Sequence, residues 1–133
     1  MKTDGKVPMV TTPGQRAKGK TAFHAGMAAE EIVARHYARN GHQVAAQRWR
    51  GTAGEIDLVV RDGEGLIFIE VKKAVSHEAA ARQLSSRQMK RIYAAASEFL
   101  AGEPSGQMTN SRFDAALVDV TGQVSIIPNA WCA

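Results

Sequence analysis

The chain has 133 residues, of which 44% are hydrophobic and 23% charged, the composition of one globular domain with its own core. No apolar run approaches the roughly 18 residues that a membrane span needs, so no membrane partner is expected. Cys132 is the single cysteine, which excludes an internal disulfide and suits the reducing cytoplasm, where we expect this protein to reside.

The formal net charge of +4 belongs to the N-terminal segment and not to the rest of the chain. Residues 1–20 contain five lysines and arginines against one acid, with few large apolar residues to support folding. We predict that this segment is a flexible basic tail and that residues 21–133 form a single domain. The tail is either an arm that attracts phosphate groups or a dispensable extension.

A first helix is predicted over residues 22–39, ended by Asn40 and Gly41, a frequent pair at helix C-termini. Its predicted apolar stripe contains Phe23, Met27, Ala34 and Tyr37. Glu30 lies within that stripe, where a glutamate is unusual unless it has a partner. It is either an acid that reaches a functional site or a residue at the edge of the stripe that reaches solvent.

Residues 42–50 are predicted to form the first strand, which ends in the basic and aromatic run Arg48, Trp49 and Arg50. Such a run can hold phosphate groups and stack on a base. It equally suits an edge strand in which the tryptophan packs inward and both arginines are solvated.

The next segment, residues 54–72, is predicted to form a β-hairpin with a turn that begins at Asp62 and Gly63. Pairing Arg61 with Leu66 across this turn leads by alternation to two further facing pairs, Asp57 with Glu70 and Glu55 with Lys72. The same alternation places Ile56, Leu58 and Val60 together on the opposite face of the strand.

Two carboxylates that face each other across a strand pair need a physical reason. Facing side chains lie about 5 Å apart at Cβ, and two unit charges at about 4 Å repel by roughly 4 kcal/mol at an effective dielectric constant of 20. A hard divalent cation such as Mg²⁺ removes this repulsion, because it prefers one or two carboxylates together with water and phosphate oxygens. The alternative is a solvated outer face that carries ordinary strand charges.

A long second helix is predicted over residues 76–101, with an apolar stripe formed by Met89, Tyr93, Ala96 and Leu100. Its exposed flank carries Arg82, Arg87, Lys90 and Arg91. This flank suits contact with a nucleic-acid backbone, although solvated helix faces are often charged as well. Residues 112–120 and 123–127 are predicted to form a second hairpin. The order α-β-β-β-α-β-β indicates an α/β fold with a mixed central sheet flanked by helices.

Six short motifs extend over nearly the whole chain. They are GxxAE at residues 26–30, RWR at 48–50, GEIDL at 54–58, IFIEVK at 67–72, RFD at 112–114 and PNAW at 128–131. Together they resemble the YraN-like family of predicted endonucleases, within the PD-(D/E)XK superfamily of restriction-endonuclease-like nucleases. The resemblance implies a restriction-endonuclease-like core and a metal-dependent nuclease that hydrolyses DNA phosphodiester bonds, with branched and single-stranded DNA as candidate substrates.

The resemblance also implies roles for the hairpin residues. Asp57 and Glu70, together with the backbone carbonyl of Val71, would hold Mg²⁺ or Mn²⁺. Lys72 would polarise the attacking water and stabilise charge on the phosphate. Glu30 would be an additional acidic ligand of the metal. Glu55 would either contact these ligands without binding the metal or be a further ligand.

Two departures from the family's usual sequence concern phosphate binding. Ala74 stands where the family often has arginine, with Lys73 as a partial substitute, and Arg48 stands where it often has asparagine. The predicted nucleic-acid contacts are Arg48, Arg50, Lys73, Arg87, Lys90 and Arg91.

Two other classes of function fit the same residues. The protein could be a nucleic-acid-binding module that kept the nuclease fold without turnover, or a protein-interaction scaffold. A homodimer would suit cleavage of both DNA strands, but no residues of the sequence mark a dimer interface.

Overall fold

The computed structural model describes residues 18–131, with side chains from residue 28 onwards. Most of the predicted tail, residues 1–17, lies outside the described residues, as do the side chains of Phe23 and Met27. In chain order the elements are α1 (Lys18–Arg39), β1 (Val44–Arg50), β2 (Glu55–Asp62), β3 (Gly65–Lys73), α2 (His77–Ala81), α3 (Ser86–Leu100), β4 (Ser111–Val118) and β5 (Val124–Ile127). A short 3-10 turn, Gly106–Met108, precedes β4.

Helix α1 begins at Lys18, one turn before the predicted start, so residues 18–20, assigned above to the tail, are helical. No proline follows Lys18 within the helix, so nothing in the backbone forbids the extra turn. The helix ends at Arg39 as predicted, and Gly41 adopts φ = +90° just beyond it. The Gly41 N–H donates to the carbonyl of Ala38 at 3.0 Å, a closure typical of glycine at helix C-termini.

The five strands form one sheet in the order β1-β2-β3-β4-β5. Strands β1, β2 and β3 pair antiparallel, as do β4 and β5, whereas β3 and β4 run parallel. The parallel pair arises because α2 and α3 carry the chain back along the sheet before β4 begins. The predicted α/β fold, with its element order and mixed sheet, is confirmed, and it is consistent with a restriction-endonuclease-like core.

Helices cover both faces of the sheet, and each face has its own buried cluster. On the α1 face the cluster comprises Ala29, Val33, Ala34, Tyr37, Leu58, Val60, Ile67, Ile69, Ala116 and Val118. On the α3 face it comprises Ile56, Val59, Leu66, Phe68, Ala95, Ala96 and Leu100. Helix α2 completes the second layer by packing Ala80 against Ala115 and Leu117 of β4. None of the helices within residues 18–131 is both long and apolar enough to cross a membrane.

The long second helix predicted from the sequence is two helices. Ser76 caps α2 by accepting a hydrogen bond from the N–H of Ala79, and Ser85 caps α3 by accepting one from the N–H of Gln88. Each serine side chain satisfies a backbone donor that a continuous helix would have satisfied internally, so the second cap starts a new helix.

The buried stripe of α3 is also displaced from the predicted one. It contains Ile92, Ala95, Ala96 and Leu100, whereas Tyr93 is 38% exposed. Ala96 and Leu100 belong to both stripes, whereas Ile92 and Ala95 are buried in place of Met89 and Tyr93.

A buried carboxylate connects α1, β4 and the segment after β5. Asp114 is fully buried, and it accepts hydrogen bonds from the Tyr37 hydroxyl at 2.7 Å and from Arg112 Nε and Nη2 at 2.8 and 3.0 Å. The N–H of Asn129 adds a fourth bond at 3.2 Å. Burial, together with the bond to Asp114, raises the pKa of Tyr37. The RFD and PNAW motifs therefore meet in one structural network.

We expect Tyr37→Phe to lower the free energy of unfolding by about 1.5–3 kcal/mol, because a buried charged acceptor loses a donor. Urea denaturation measures this loss. Tyr93→Phe is the matched control, since its hydroxyl donates to the carbonyl of Trp131 at 2.8 Å on the exposed surface. The control is expected to lose less than about 1 kcal/mol. Equal losses in the two variants would contradict the role given to Asp114.

Candidate active site

The site lies where the pairing of β2 with β3 ends. The paired residues run from Asp62 and Gly65 to Leu58 and Ile69, and the predicted pairing of Arg61 with Leu66 lies within this ladder.

Asp57 and Glu70 are the next residues beyond the ladder, so their predicted pairing lies one step outside the observed register. The N–H of Val71 donates to Asp57 Oδ2 at 2.9 Å, so the aspartate side chain bridges the two strands.

The alternation of β2 changes at Asp57. Leu58 packs on the α1 face, but Ile56 packs with Val59 on the α3 face, so the predicted grouping of Ile56 with Leu58 and Val60 is wrong. The change coincides with the loss of pairing to β3, which frees the start of the strand to twist.

Asp57 lines two cavities. The larger has a volume of about 270 Å³ and is lined by Gly54, Glu55, Asp57, Glu70, Gln88, Arg91 and Ile92. The smaller, of about 60 Å³, is lined by Glu30, Glu31, Gln47, Arg48, Asp57 and Leu58. Of the predicted acids, Asp57 and Glu70 therefore share one cavity, whereas Glu30 meets Asp57 in the other.

Glu70 is the most enclosed acid of the site, only 8% exposed. Lys72 Nζ lies 3.2 Å from Glu70 Oε2, and Gln88 Nε2 donates to the same oxygen at 2.7 Å. Desolvation, followed by the charge of Asp57, raises the pKa of Glu70 to about 7, although Lys72 opposes this shift. Burial likewise raises the pKa of Asp57, while the Val71 N–H and the Lys72 ammonium lower it. Both acids thus resist ionisation when no cation is bound.

Glu55 takes different partners from those predicted. It lies 3.9 Å from Arg48 Nε and 3.8 Å from Arg50 Nη2, and Lys72 pairs with Glu70 instead. The predicted pairing of Glu55 with Lys72 is therefore wrong. The prediction fails because the β2–β3 ladder ends at Leu58 and Ile69, before it reaches Glu55 and Lys72.

Glu30 is neither a plain surface residue nor part of the larger cavity. Its side chain is 28% exposed, and Arg48 Nε lies 4.0 Å from Glu30 Oε1. Burial and the charge of Asp57 raise the pKa of Glu30. Arg48 itself adopts φ = +51°, a left-handed conformation that suits the asparagine common at this position in the YraN-like family. One guanidinium therefore lies between Glu30 and Glu55.

The donor set suits a hard divalent cation. Within the described part of the chain, no three His, Cys, Asp or Glu side chains are grouped closely enough to enclose a metal ion by themselves. Mg²⁺ does not need such an enclosure, because it usually keeps several waters and takes one or two carboxylates. Asp57 and Glu70 provide two. Gln88, which donates to Glu70, lines the same cavity.

The predicted cationic residues surround the larger cavity unevenly. Arg91 lines it, whereas Arg87 and Lys90 are exposed on the same helix and do not reach its wall. Arg50 is 76% exposed at the end of β1, and Lys73 is exposed at the end of β3. Trp49 between the two arginines packs edge-on against Phe99 at 5.4 Å, so this partly buried ring packs against the α3-face cluster.

A wider depression of about 490 Å³ lies at the opposite end of the sheet, lined by His36, Tyr37, Asn40, His42, Arg112, Ile126 and Pro128. It contains no carboxylate pair. This depression is larger than the cavity of Asp57 and Glu70. The smaller cavity is nevertheless the candidate site, because it contains the two carboxylates that can bind a cation.

Two polar residues of α3 contribute to the site without having been predicted. Gln88 binds Glu70, and Glu98 accepts hydrogen bonds from the N–H groups of Thr52 and Ala53 at 3.1 and 2.9 Å and from the Thr52 hydroxyl. Glu98 thereby holds the loop that leads into Glu55 against α3. No spacing or motif marks either residue, because both contacts join segments distant in sequence.

The raised pKa of Glu70 predicts that the metal-free protein loses stability as pH rises. The folded state binds this proton more tightly than the unfolded chain, so the extra stability is complete below the ordinary value of 4.5 and is lost as pH passes about 7. At about 1.4 kcal/mol per pKa unit, the loss is at most roughly 3 kcal/mol. Urea titrations in chelator between about pH 5 and pH 8 measure it.

Glu70→Gln is expected to flatten this dependence, since the amide does not titrate. Glu64→Gln, at an exposed position in the hairpin turn, is the control and should follow the wild-type curve. A wild-type curve parallel to that of Glu70→Gln would contradict the raised pKa.

Comparison with known proteins gives the family. Residues 29–118, which contain both acids and Lys72, match Uncharacterised protein family UPF0102. A UPF0102 protein of Cereibacter sphaeroides is 65% identical over 115 residues, 86% of this chain and 98% of that protein. One of Ruegeria pomeroyi is 50% identical over 115 residues, 86% of this chain and 94% of that protein. A third, of Roseobacter denitrificans, is 51% identical over 112 residues, which are 84% of this chain and 87% of that protein. The chain therefore belongs to the UPF0102 family, the YraN family that its motifs resemble.

Proposed function

We propose that this protein is a metal-dependent endonuclease that hydrolyses DNA phosphodiester bonds in the cytoplasm. One observation carries the proposal: Asp57 and Glu70 line one cavity, and Lys72 Nζ lies 3.2 Å from Glu70. Two desolvated carboxylates beside a lysine form a site that favours a divalent cation and an anionic phosphate group. Branched and single-stranded DNA are the candidate substrates.

Asp57 and Glu70 would hold Mg²⁺ or Mn²⁺, with the carbonyl of Val71 as the third ligand that the resemblance implies. When bound, such a cation lowers the pKa of water and offsets charge on the phosphate. Because the pKa of Glu70 is about 7, cation binding should release a proton at neutral pH. Glu30, in the adjoining cavity, would add negative potential from the other side of Asp57.

The remaining chemistry belongs to water and Lys72. The oxygen of the attacking water forms a bond to phosphorus, and the bond from phosphorus to one sugar oxygen breaks. The water loses a proton and the leaving oxygen gains one by way of the solvent in the cleft, so the products are a phosphate end and a hydroxyl end. Lys72 stabilises the negative charge that accumulates on the phosphate during this exchange.

The proposal predicts which variants lose metal binding and which keep metal binding but lose DNA cleavage. Asp57→Asn and Glu70→Gln should no longer bind Mn²⁺ in calorimetric titrations, since each removes a ligand charge. Lys72→Met should still bind Mn²⁺ but cleave DNA at least about 100-fold more slowly, because it lacks the ammonium group at the phosphate. Cleavage is measured on single-stranded, duplex, flap and junction DNA with Mg²⁺ or Mn²⁺.

Glu64→Gln is the control for both assays, as an exposed acid of the same hairpin. Cleavage at wild-type rates by Asp57→Ala and Lys72→Ala would sink the catalytic assignment. Salt-sensitive DNA binding without cleavage would favour the non-catalytic binding module. Absence of both Mn²⁺ and DNA binding would favour the protein-interaction scaffold.

The cations of α3 predict a salt-dependent contribution to DNA binding. Replacing Arg87, Lys90 and Arg91 with glutamine should weaken binding and reduce the slope of log affinity against log salt by up to about 3, roughly one per phosphate contact. Fluorescence anisotropy across a salt series measures this slope. The control replaces Arg35 and Arg39, exposed cations near the end of α1, and should leave it unchanged. An unchanged slope in the triple variant would place the DNA backbone on another surface.

A further inference from the structure

We propose that Gln88 is a positioning residue of this site, whose side-chain amide holds Glu70 in the orientation that binds the cation. The inference rests on the proposed function and adds a residue that neither the motifs nor the family description assigns. It starts from the hydrogen bond between Gln88 of α3 and Glu70 of β3.

The backbone of Gln88 is held in place at the first turn of α3. Its N–H donates to the side chain of the capping residue Ser85 at 3.2 Å. Its side-chain Nε2 donates to Glu70 Oε2 at 2.7 Å. A side chain restrained at both ends loses little freedom when a ligand arrives, so it can hold Glu70 in one orientation.

The bond acts on the most enclosed acid of the site. Glu70 is 8% exposed, and the same oxygen, Oε2, also lies 3.2 Å from Lys72 Nζ. Gln88 from α3 and Lys72 from β3 therefore fix the orientation of the carboxylate together, and a residue that orients a metal ligand in this way strengthens metal binding.

Gln88→Met tests the inference, because methionine keeps the length of the side chain and suits a helix but lacks both amide groups. Gln88→Ala is a second variant that cannot overpack the site. The matched control is Gln83→Met, since Gln83 is exposed and donates only to the carbonyl of Lys73, at 3.2 Å. Circular dichroism establishes that each variant is folded.

We expect both Gln88 variants to bind Mn²⁺ about 10- to 100-fold more weakly in calorimetric titrations, the usual consequence of removing a residue that orients a metal ligand. The kcat for DNA cleavage should fall at least about tenfold while the KM for DNA stays within about twofold, because Gln88 contacts no phosphate. Gln83→Met should match the wild type in both assays.

The outcomes separate this inference from the proposed function. Unchanged Mn²⁺ affinity and kcat in folded Gln88→Met and Gln88→Ala would overturn the inference and leave the nuclease proposal intact. A rise in KM with unchanged kcat would also overturn it, by showing that Gln88 binds substrate. A wild-type protein that neither binds Mn²⁺ nor cleaves DNA would remove both.

Discussion

Two carboxylates brought together out of water, at the point where two strands stop pairing, are the constraint on which the rest of the structure depends. Asp57 and Glu70 are desolvated, the charge of Asp57 adds to the cost of ionising Glu70, and this cost is opposed by Lys72, Arg48 and the Val71 N–H. Such an arrangement lowers stability at neutral pH unless a cation is bound. Strands β2 and β3, which carry the two acids, must therefore be held in place by contacts on both faces of the sheet.

The surrounding contacts supply that rigidity from three directions. At the far end of the sheet, Asp114 ties α1 to β4 through Tyr37. Under the α3 face, Phe68 stacks on Phe113 with ring centroids 5.3 Å apart and meets Phe99 edge-on at 5.8 Å. Near the site, Glu98 clamps the loop before β2. Aromatic pairs of this kind add about 0.5–1.5 kcal/mol each beyond their burial. The two acids are thus attached to strands that a packed core holds on both sides.

Much of this architecture follows from local pattern. The turn of the first hairpin, the end of α1 at Gly41 and the parallel pairing of β3 with β4 were all predictable, because turn chemistry and connection length determine them. The break between α2 and α3 was missed although Ser85 marks it, since a capping serine resembles any other serine until its side chain is seen to accept a backbone N–H. The first half of the buried stripe of α3 was misplaced because Ile92 and Tyr93 are adjacent apolar residues, and periodicity alone does not decide which of them faces the sheet.

The sequence by itself determined the residue types of the site and the register of the first hairpin, because the turn residues and the alternation of side chains along a strand define both. Only the tertiary structure decided where that pairing stops, and hence that Lys72 turns to Glu70 while Glu55 turns to Arg48 and Arg50. It also decided that Gln88 reaches the acids, because contacts between a helix and a sheet depend on how the two pack. Periodicity describes one element at a time, and a site is made where several elements meet.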